Sequence, residues 1–591
     1  MASSHLDAPL GFFNYPIPTA HDIPYQAPPT NTNPVLKGLP LYYLGSLVPS
    51  IPLLPAFLWR NAGFGLLRSK KELDNVEPRY DPTVIPVPRP EEPENVTTDR
   101  LRTLPKSAKG RFWNITDYHE AFKKGEITPV DVVETLFPLI RRDVDQRSAH
   151  ATAFVETRME SVRRAADASA KRWKDGEPLG VLDGVPFAVK DDVYVKGYKM
   201  FVGTKHDYTE GKEVGTSWCV QKLEEAGAVL VGRCNMHEIG MDTTNNNPVW
   251  GTPLNPYNSQ YYCGGSSGGA AYAVGQGIIP FAIGSDGGGS VRIPSNYCGI
   301  YGLKPSHGRV SKLPCRNKTP STTVNGPLAS NMVDLEVSYR ALAQPDPSNH
   351  ASRQFAVPQA LTAPRKKVIG IHKAWFDRAD PIVQDTCQSA INYFESELGY
   401  EIVDVSIPLT YEGQMAHAMT ILTEGVAAEP NLSRVSPANK IVLAVAKVTT
   451  GRDLSLAQRV RNIIMQHLAH LFQTHPGLII VTPTTPNAGW PIGEGELVYG
   501  MSDGNTQVRN MEYVWLANFT GVPCIQFPVG YVDAVKGEGR VPVGLSGHGE
   551  WGSEDALIEF GHDGERWLNE EFEGGRIRPK EWVDVIGKSK N

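Results

Sequence analysis

From about residue 111 the chain alternates two kinds of apolar spacing. In ITDYHEAFKKGEITPVDVVETLFPLIRRDVDQ, apolar residues recur every three or four positions on either side of Gly125, which predicts helix, turn and helix. Thr128 is placed to cap the second helix, with Pro129 at its first position. ATAFVETRMESVRRAADASAKRWKDG predicts another amphipathic helix, stopped at Gly176. GVPFAVKDDVYV then predicts a short apolar strand ending in charge, and EVGTSWCVQKLEEAGAVLVGRCN a helix, a glycine turn and a buried strand. Farther on, KKVIGIH, DPIVQDTCQSAINYFESELG and GLIIVTPTTP continue the alternation. Helices alternating with apolar strands indicate an α/β architecture. No internal repeat is present, and residues 345–470 carry no readable motif and are expected to be variable and substrate-facing.

The first 105 residues differ, holding 18 of the 47 prolines, and are expected to run as extended coil that wraps or caps the body. They form a separate extension, residues 1–110, ahead of a catalytic domain at 111–591. Within the extension, GLPLYYLGSLVPSIPLLPAFLW (Gly38 to Trp59) is 22 residues without a charge. That length could cross a membrane, but Pro40, Pro49, Pro52 and Pro55 break a spanning helix repeatedly. The favoured reading is a strap buried on the protein; the second is a membrane-surface or substrate-entrance element.

Composition narrows the classes. Hydrophobic residues make up 41% and charged residues 21%, enough for a large core. The net charge of −6 without a basic stripe excludes nucleic acid as an expected partner. Seven cysteines with no C-x-x-C pair argue against a disulfide framework or a zinc site. The N-terminus lacks the charged and apolar regions of a secretory signal, so a cytoplasmic protein is expected, with peripheral membrane contact through residues 38–59. On that view the sequons at Asn95, Asn114, Asn317, Asn431 and Asn518 are chance.

The chemistry concentrates in GGSSGGAAYAVGQGIIPFAIGSDGGGSVRIP, Gly264 to Pro294. Its start satisfies G-x-S-x-G, the nucleophile elbow of α/β-hydrolases. The preceding NPYNSQYYC is a poor strand, and His548 and His562, later histidines that could complete such a triad, lack a recognisable setting. The second cluster has a better context, because IIPFAI predicts a buried strand directly before Gly287, Gly288 and Gly289. Consecutive amides in such a turn can converge on one oxygen, as in an oxyanion hole. Ser290 follows immediately, and Asp286 and Arg292 bracket the loop. A structural turn or phosphate nest is the alternative, although the G-K-[ST] of a P-loop is missing. Lys190, at the end of an apolar strand, could be desolvated and act as a base, or could be an ordinary surface residue.

These motifs together resemble the amidase signature family of serine hydrolases. The resemblance rests on GVPFAVKDD, KLEEAGAVLVGRCNMHE, NNPVWGTPLNP, GGSSGGAA, GSDGGGSVRIPSNYCGIYGLKPSHGRVS, VTPTTP, NFTGVPCIQFPVG and PVGLSGHG, in that order, over roughly residues 111 to 565. It implies the family fold, a central mixed twisted β-sheet covered by helices on both faces. It also implies a Ser–cisSer–Lys triad, with Ser290 as nucleophile, Ser266 as the cis-serine and Lys190 as base. Oxyanion donors would be the amides of Gly287, Gly288, Gly289 and Ser290. Ser267, Ser285, Asp286 and Arg292 would support the loop, and Gly240 or Met241 would orient substrate. No metal or organic cofactor is implied, and a homodimer is permitted. One departure stands out: the loop reads D-G-G-G-S, with Gly287 where the family usually has Thr or Ile. That is expected to loosen the loop and open space beside the oxyanion. The resulting expectation is an amidase cleaving small-molecule amides, and esters too, through an acyl-enzyme. The alternatives are an acyl or ammonia transferase, or an amide-forming biosynthetic enzyme, using the same intermediate, and a catalytically silent binding protein.

Overall fold

The computed structural model describes residues 11–28, 32–87, 101–358, 365–429 and 431–590. Residues 1–10, 29–31 and 88–100 of the expected extension, and with them the Asn95 sequon, lie outside the described residues. The helix–turn–helix pattern gives Ile115–Lys123 and Pro129–Ile140. Each opens with a capping box, Asn114 with Asp117 and Thr128 with Asp131, so two otherwise orphaned amides are satisfied at each start. Helix Met159–Asp175 ends where Gly176 turns left-handed, at φ +78°.

Eleven strands form one mixed sheet. In chain order they are β1 (Phe154–Glu156), β2 (Pro186–Lys190), β3 (Val229–Cys234), β4 (Phe281–Asp286), β5 (Tyr301–Lys304), β6 (Val324–Ala329), β7 (Val368–Ile371), β8 (Glu401–Asp404), β9 (Leu478–Pro483), β10 (Cys524–Asp533) and β11 (Arg540–His548). Their spatial order is β8-β7-β9-β11-β10-β5-β6-β4-β2-β3-β1. Every residue of β2 to β7 and of β9 is buried. Alternate side chains leave opposite faces of a strand, so full burial means that both faces are covered. β2 runs parallel to both β4 and β3, with Val189 opposite Ile283 and Lys190 opposite Cys234. The carboxyl ends of these three strands therefore meet on one edge of the sheet, the place where open α/β sheets hold ligands.

The segment Gly38–Trp59 departs from the favoured expectation. It forms helix Gly38–Leu44, a short turn at Val48–Ser50 and helix Leu54–Asn61. It is not a buried strap. Leu41, Val48 and Trp59 face inward, and the Trp59 indole donates to Thr449 Oγ1 at 3.0 Å. Leu53 is 82% exposed, Tyr43 64% and Phe57 60%. Helices this short and this often broken by proline bury only one side, and the other is left to solvent. No single described helix is long and apolar enough to cross a membrane. The pair Gly38–Ser50 and Leu54–Asn61 passes that test only jointly and is bent by 106°. The extension also meets helix Gly451–Thr474, where Arg68 pairs with Asp453 at 2.7 and 2.8 Å.

Candidate active site

Lys190 is the last residue of β2. The apolar PFAV before it buries the strand, so the amine is delivered to the sheet edge without solvent. Lys190 Nζ lies 2.8 Å from Ser266 Oγ, 2.9 Å from Ser285 Oγ and 3.2 Å from the Ser285 carbonyl oxygen. Burial pulls its pKa down from the ordinary lysine value to about 8, against the opposing pull of Asp192 and Asp286. The three contacts assign the protons. A neutral amine has two N–H groups and one lone pair. The Ser285 carbonyl can only accept, and the Ser285 hydroxyl already donates to Asp192 Oδ2, so both take an N–H from lysine. The lone pair is left for the Ser266 hydroxyl. Asp192 is the reason this works: burial pushes its carboxyl up, but Lys190, Lys312 and the Ser285 hydrogen bond hold it below the ordinary carboxylate value.

The two glycine clusters meet this lysine from different elements. Cys263 to Ser267 precedes helix Gly268–Gly275, and the peptide bond Gly265–Ser266 is cis. Gly264, at φ +79°, passes so close to Pro294 that a Cβ would sit 2.7 Å from its Cα. The second cluster leaves the end of β4. Ser267 N donates to Ser290 O and Ser267 Oγ to Ser285 O, each at 3.2 Å, which ties the loops together. Asp286 and Arg292, both fully buried, pair at 3.0 and 3.1 Å. Burial alone would raise the Asp286 carboxyl, but Arg292 and the hydrogen bonds it receives hold it well below the usual carboxylate range. Arg292 also donates to Val514 O and Asn518 Oδ1, locking the loop to helix Trp515–Thr520.

Asp286 changes the expected set of amides. It accepts Gly289 N at 2.7 Å and Val291 N at 3.1 Å, so the Gly289 amide faces the carboxylate and not the cavity. The amides of Gly287, Gly288 and Ser290 have no hydrogen-bond partner among the described residues. The expected room beside Gly287 is also absent. A Cβ there would lie 2.6 Å from Thr323 Oγ1 and 3.0 Å from Ile421 Cδ1, so those side chains fill the space. Nor is the loop left loose, because His417 Nε2 meets the Gly287 carbonyl oxygen at 2.8 Å.

Ser290 is partly exposed, in contrast to fully enclosed Lys190 and Ser266, and all three line one cavity of about 280 Å³. Gly240 and Met241 line it as well, with Gly240 packed toward Ser266 Oγ, while the Met241 carbonyl accepts from Gln507 Nε2 at 2.8 Å. Met200, Val202, Met236, Ile239 and Ile421 give the cavity apolar wall; Tyr208, Lys212, Arg316, Lys318 and Glu429 supply polar groups. Of the described residues in 345–470, only Ile421, Gly425 and Glu429 reach it. The elbow reading fails on geometry: His548 is fully buried in β11, His562 meets Glu336, and neither lines the cavity. The residue reading missed Asp192, Lys312 and His417. The KDD run carried a signal for Asp192; His417, alone in a motif-free helix, carried none.

The Amidase family model matches residues 142–558. A fatty acid amide hydrolase from Medicago truncatula is 32% identical over 86% of this chain and 87% of its own length. One from Arabidopsis thaliana is 30% identical over 80% and 81%. Among solved structures, a crystal structure of an amidase aligns with TM-score 0.65 at 25% identity, covering 76% of this chain and 99% of that one.

Proposed function

The chain belongs to the amidase family and hydrolyses amide C–N bonds, and on that premise we propose that Ser290 is its nucleophile, activated by Lys190 through Ser266. The carrying observation is that Lys190 Nζ meets the Ser266 hydroxyl at 2.8 Å while its other two partners, Ser285 Oγ and the Ser285 carbonyl, each take an N–H. Lys190 takes the Ser266 proton as Ser266 takes that of Ser290, and Ser290 Oγ adds to the substrate carbonyl carbon. The negative oxygen of the tetrahedral intermediate is received by the free amides of Gly287, Gly288 and Ser290. The C–N bond then breaks, and the proton returns through Ser266 to the leaving nitrogen. Water repeats the sequence on the acyl-Ser290 ester and releases a carboxylic acid. Esters enter the same cycle with an alkoxide as leaving group.

The plant relatives are named for fatty acid amides, and the apolar wall from Met200 to Ile421 suits an acyl chain. Exposed Leu53, Tyr43 and Phe57 support peripheral membrane contact by the extension, with residues 111–591 forming the catalytic domain. The test uses a long-chain acyl amide. Ser290→Ala lowers kcat/KM about 10⁴-fold or more, and mass spectrometry of the quenched native enzyme finds the acyl group on the peptide containing Ser290. Undiminished turnover by Ser290→Ala would sink the reading.

A further inference from the structure

Two peptide groups of the loop after β4 are held from behind. The Gly287 carbonyl oxygen accepts from His417 Nε2 at 2.8 Å, and the Gly289 N–H donates to Asp286. A carbonyl can only accept, so the His417 proton is on Nε2; Nδ1 has no partner among the described residues. Burial lowers the pKa of this ring to about 4, which keeps it neutral. It packs on the loop, since a Cβ on Gly288 would lie 2.9 Å from His417 Cε1. The bond between Gly287 and Gly288 is not among the cis peptides. In a trans peptide the C=O of one residue and the N–H of the next point in opposite directions. Turning the Gly287 carbonyl toward His417, which does not line the cavity, therefore turns the Gly288 N–H away from His417; Gly287 and Ser290, on either side of Gly288 in the loop, line the cavity.

We propose that His417 is a positioning residue that sets the tilt of the 287–288 peptide and so aims the Gly288 amide at the oxyanion. This rests on the reading of Ser290 as nucleophile. It also accounts for how a glycine can stand at 287: the stiffness that a β-branched residue supplies comes from helix Thr410–Ala428. His417→Phe keeps the ring and removes the donor; His417→Gln keeps a donor. The Phe variant is expected to lose about 10- to 100-fold in kcat, with KM within about threefold. A trifluoromethyl ketone, which forms a tetrahedral oxyanion on Ser290, should lose affinity by the same factor. His417→Gln should recover part of both. Full kcat in the Phe variant, or a loss of kcat with unchanged ketone affinity, would overturn the proposal. Turnover surviving Ser290→Ala in the same assay would instead overturn the reading beneath it.

A separate observation concerns the polar side of the cavity. Lys318 Nζ is shielded from water, has no hydrogen-bond partner among the described residues, and sits 4.1 Å from the centre of the Tyr208 ring. Glu429, whose charge attracts Lys318, accepts the Tyr208 hydroxyl and makes no ion pair with Lys318 among the described residues. Lys212 and Arg316 line the same cavity. An amine with unused donors in a substrate cavity is costly unless the ligand satisfies it. We infer that the preferred amide carries a carboxylate, received by Lys318. The probes are an N-acylglycine and the matching N-acylglycinamide. The wild type should favour the acylglycine at least about tenfold in kcat/KM, Lys318→Met should abolish that ratio, and Lys318→Arg should retain most of it. Equal or better use of the neutral amide by the wild type, or an unchanged ratio in Lys318→Met, would overturn the inference. Loss of both turnovers in Ser290→Ala keeps the underlying reading separate.

Discussion

Two lysines end strands of the sheet in nearly equal burial, and only one of them is in the cavity. Lys190 closes β2 and Lys304 closes β5, and burial lowers the pKa of each, to about 8 and about 7. Both feel Asp286 as an opposing attraction. By perturbation alone Lys304 is the stronger candidate for a neutral base at physiological pH. Its surroundings say otherwise. Its Nζ donates to the Pro305 carbonyl at 2.8 Å, the Arg292 charge adds to its depression, and it does not line the cavity. Lys190 faces two serine hydroxyls and a cavity that reaches Ser290. A depressed pKa measures desolvation; what an amine can do depends on the proton opposite its lone pair.

The largest expected effect separates the two. Lys190→Met should reduce kcat by about 10²- to 10⁴-fold, the range for losing a general base. Lys304→Met should leave kcat within about threefold and stabilise the fold by about 1–4 kcal/mol at neutral pH. The sign follows from linkage. The Lys304 pKa is lower in the folded chain than in the unfolded one, so between about 7 and the ordinary lysine value the unfolded chain holds a proton that the folded chain has lost. Stability therefore falls as pH drops through that window, and at neutral pH the lysine is a net cost. Thermal melts of the two proteins should converge as the pH is raised toward 10. A Lys304→Met variant as inactive as Lys190→Met would break the comparison.

The next effect is in the pH profile. Lys190 must be neutral to accept a proton, so log kcat/KM should climb with unit slope to about pH 8 and then level off. A profile flat down to pH 5.5 would remove lysine from the role of base, whatever its distance from Ser266.

How much of this was legible depended on how local the signal was. Helices Ile115–Lys123 and Pro129–Ile140 were readable because their caps and apolar faces lie within a dozen residues. The Asp286–Arg292 pair was readable for the same reason, six residues apart across one turn. Lys190 was readable as a strand end, but a surface lysine has the same pattern; only the family motifs singled it out. The order of the sheet, which puts β2 between β3 and β4, depends on pairings between segments far apart in the chain. His417 lies 130 residues from the carbonyl it holds, in a helix whose own sequence gives no hint of a partner. The strap misled for a different reason. Apolar composition suggests burial, whereas proline had cut it into pieces too short to bury both sides.

The smallest expected effect sharpens the comparison most. Asp192 touches Lys190 only through Ser285, yet its charge favours the protonated lysine. Asp192→Asn removes that charge and keeps an oxygen that can accept the Ser285 hydroxyl. The protonated form of Lys190 then loses support, its pKa falls further, and the rising limb of the pH profile should move below pH 8. The plateau rate should drop only severalfold, because the lone pair still faces Ser266. Asp192→Asn should leave Lys304 unchanged, because the charges acting on that amine are those of Arg292, Asp286, Cys524 and Glu554. A limb that stays near pH 8 in Asp192→Asn would mean that Asp192 acts on Lys190 by orientation alone, and that its charge is spent on Lys312.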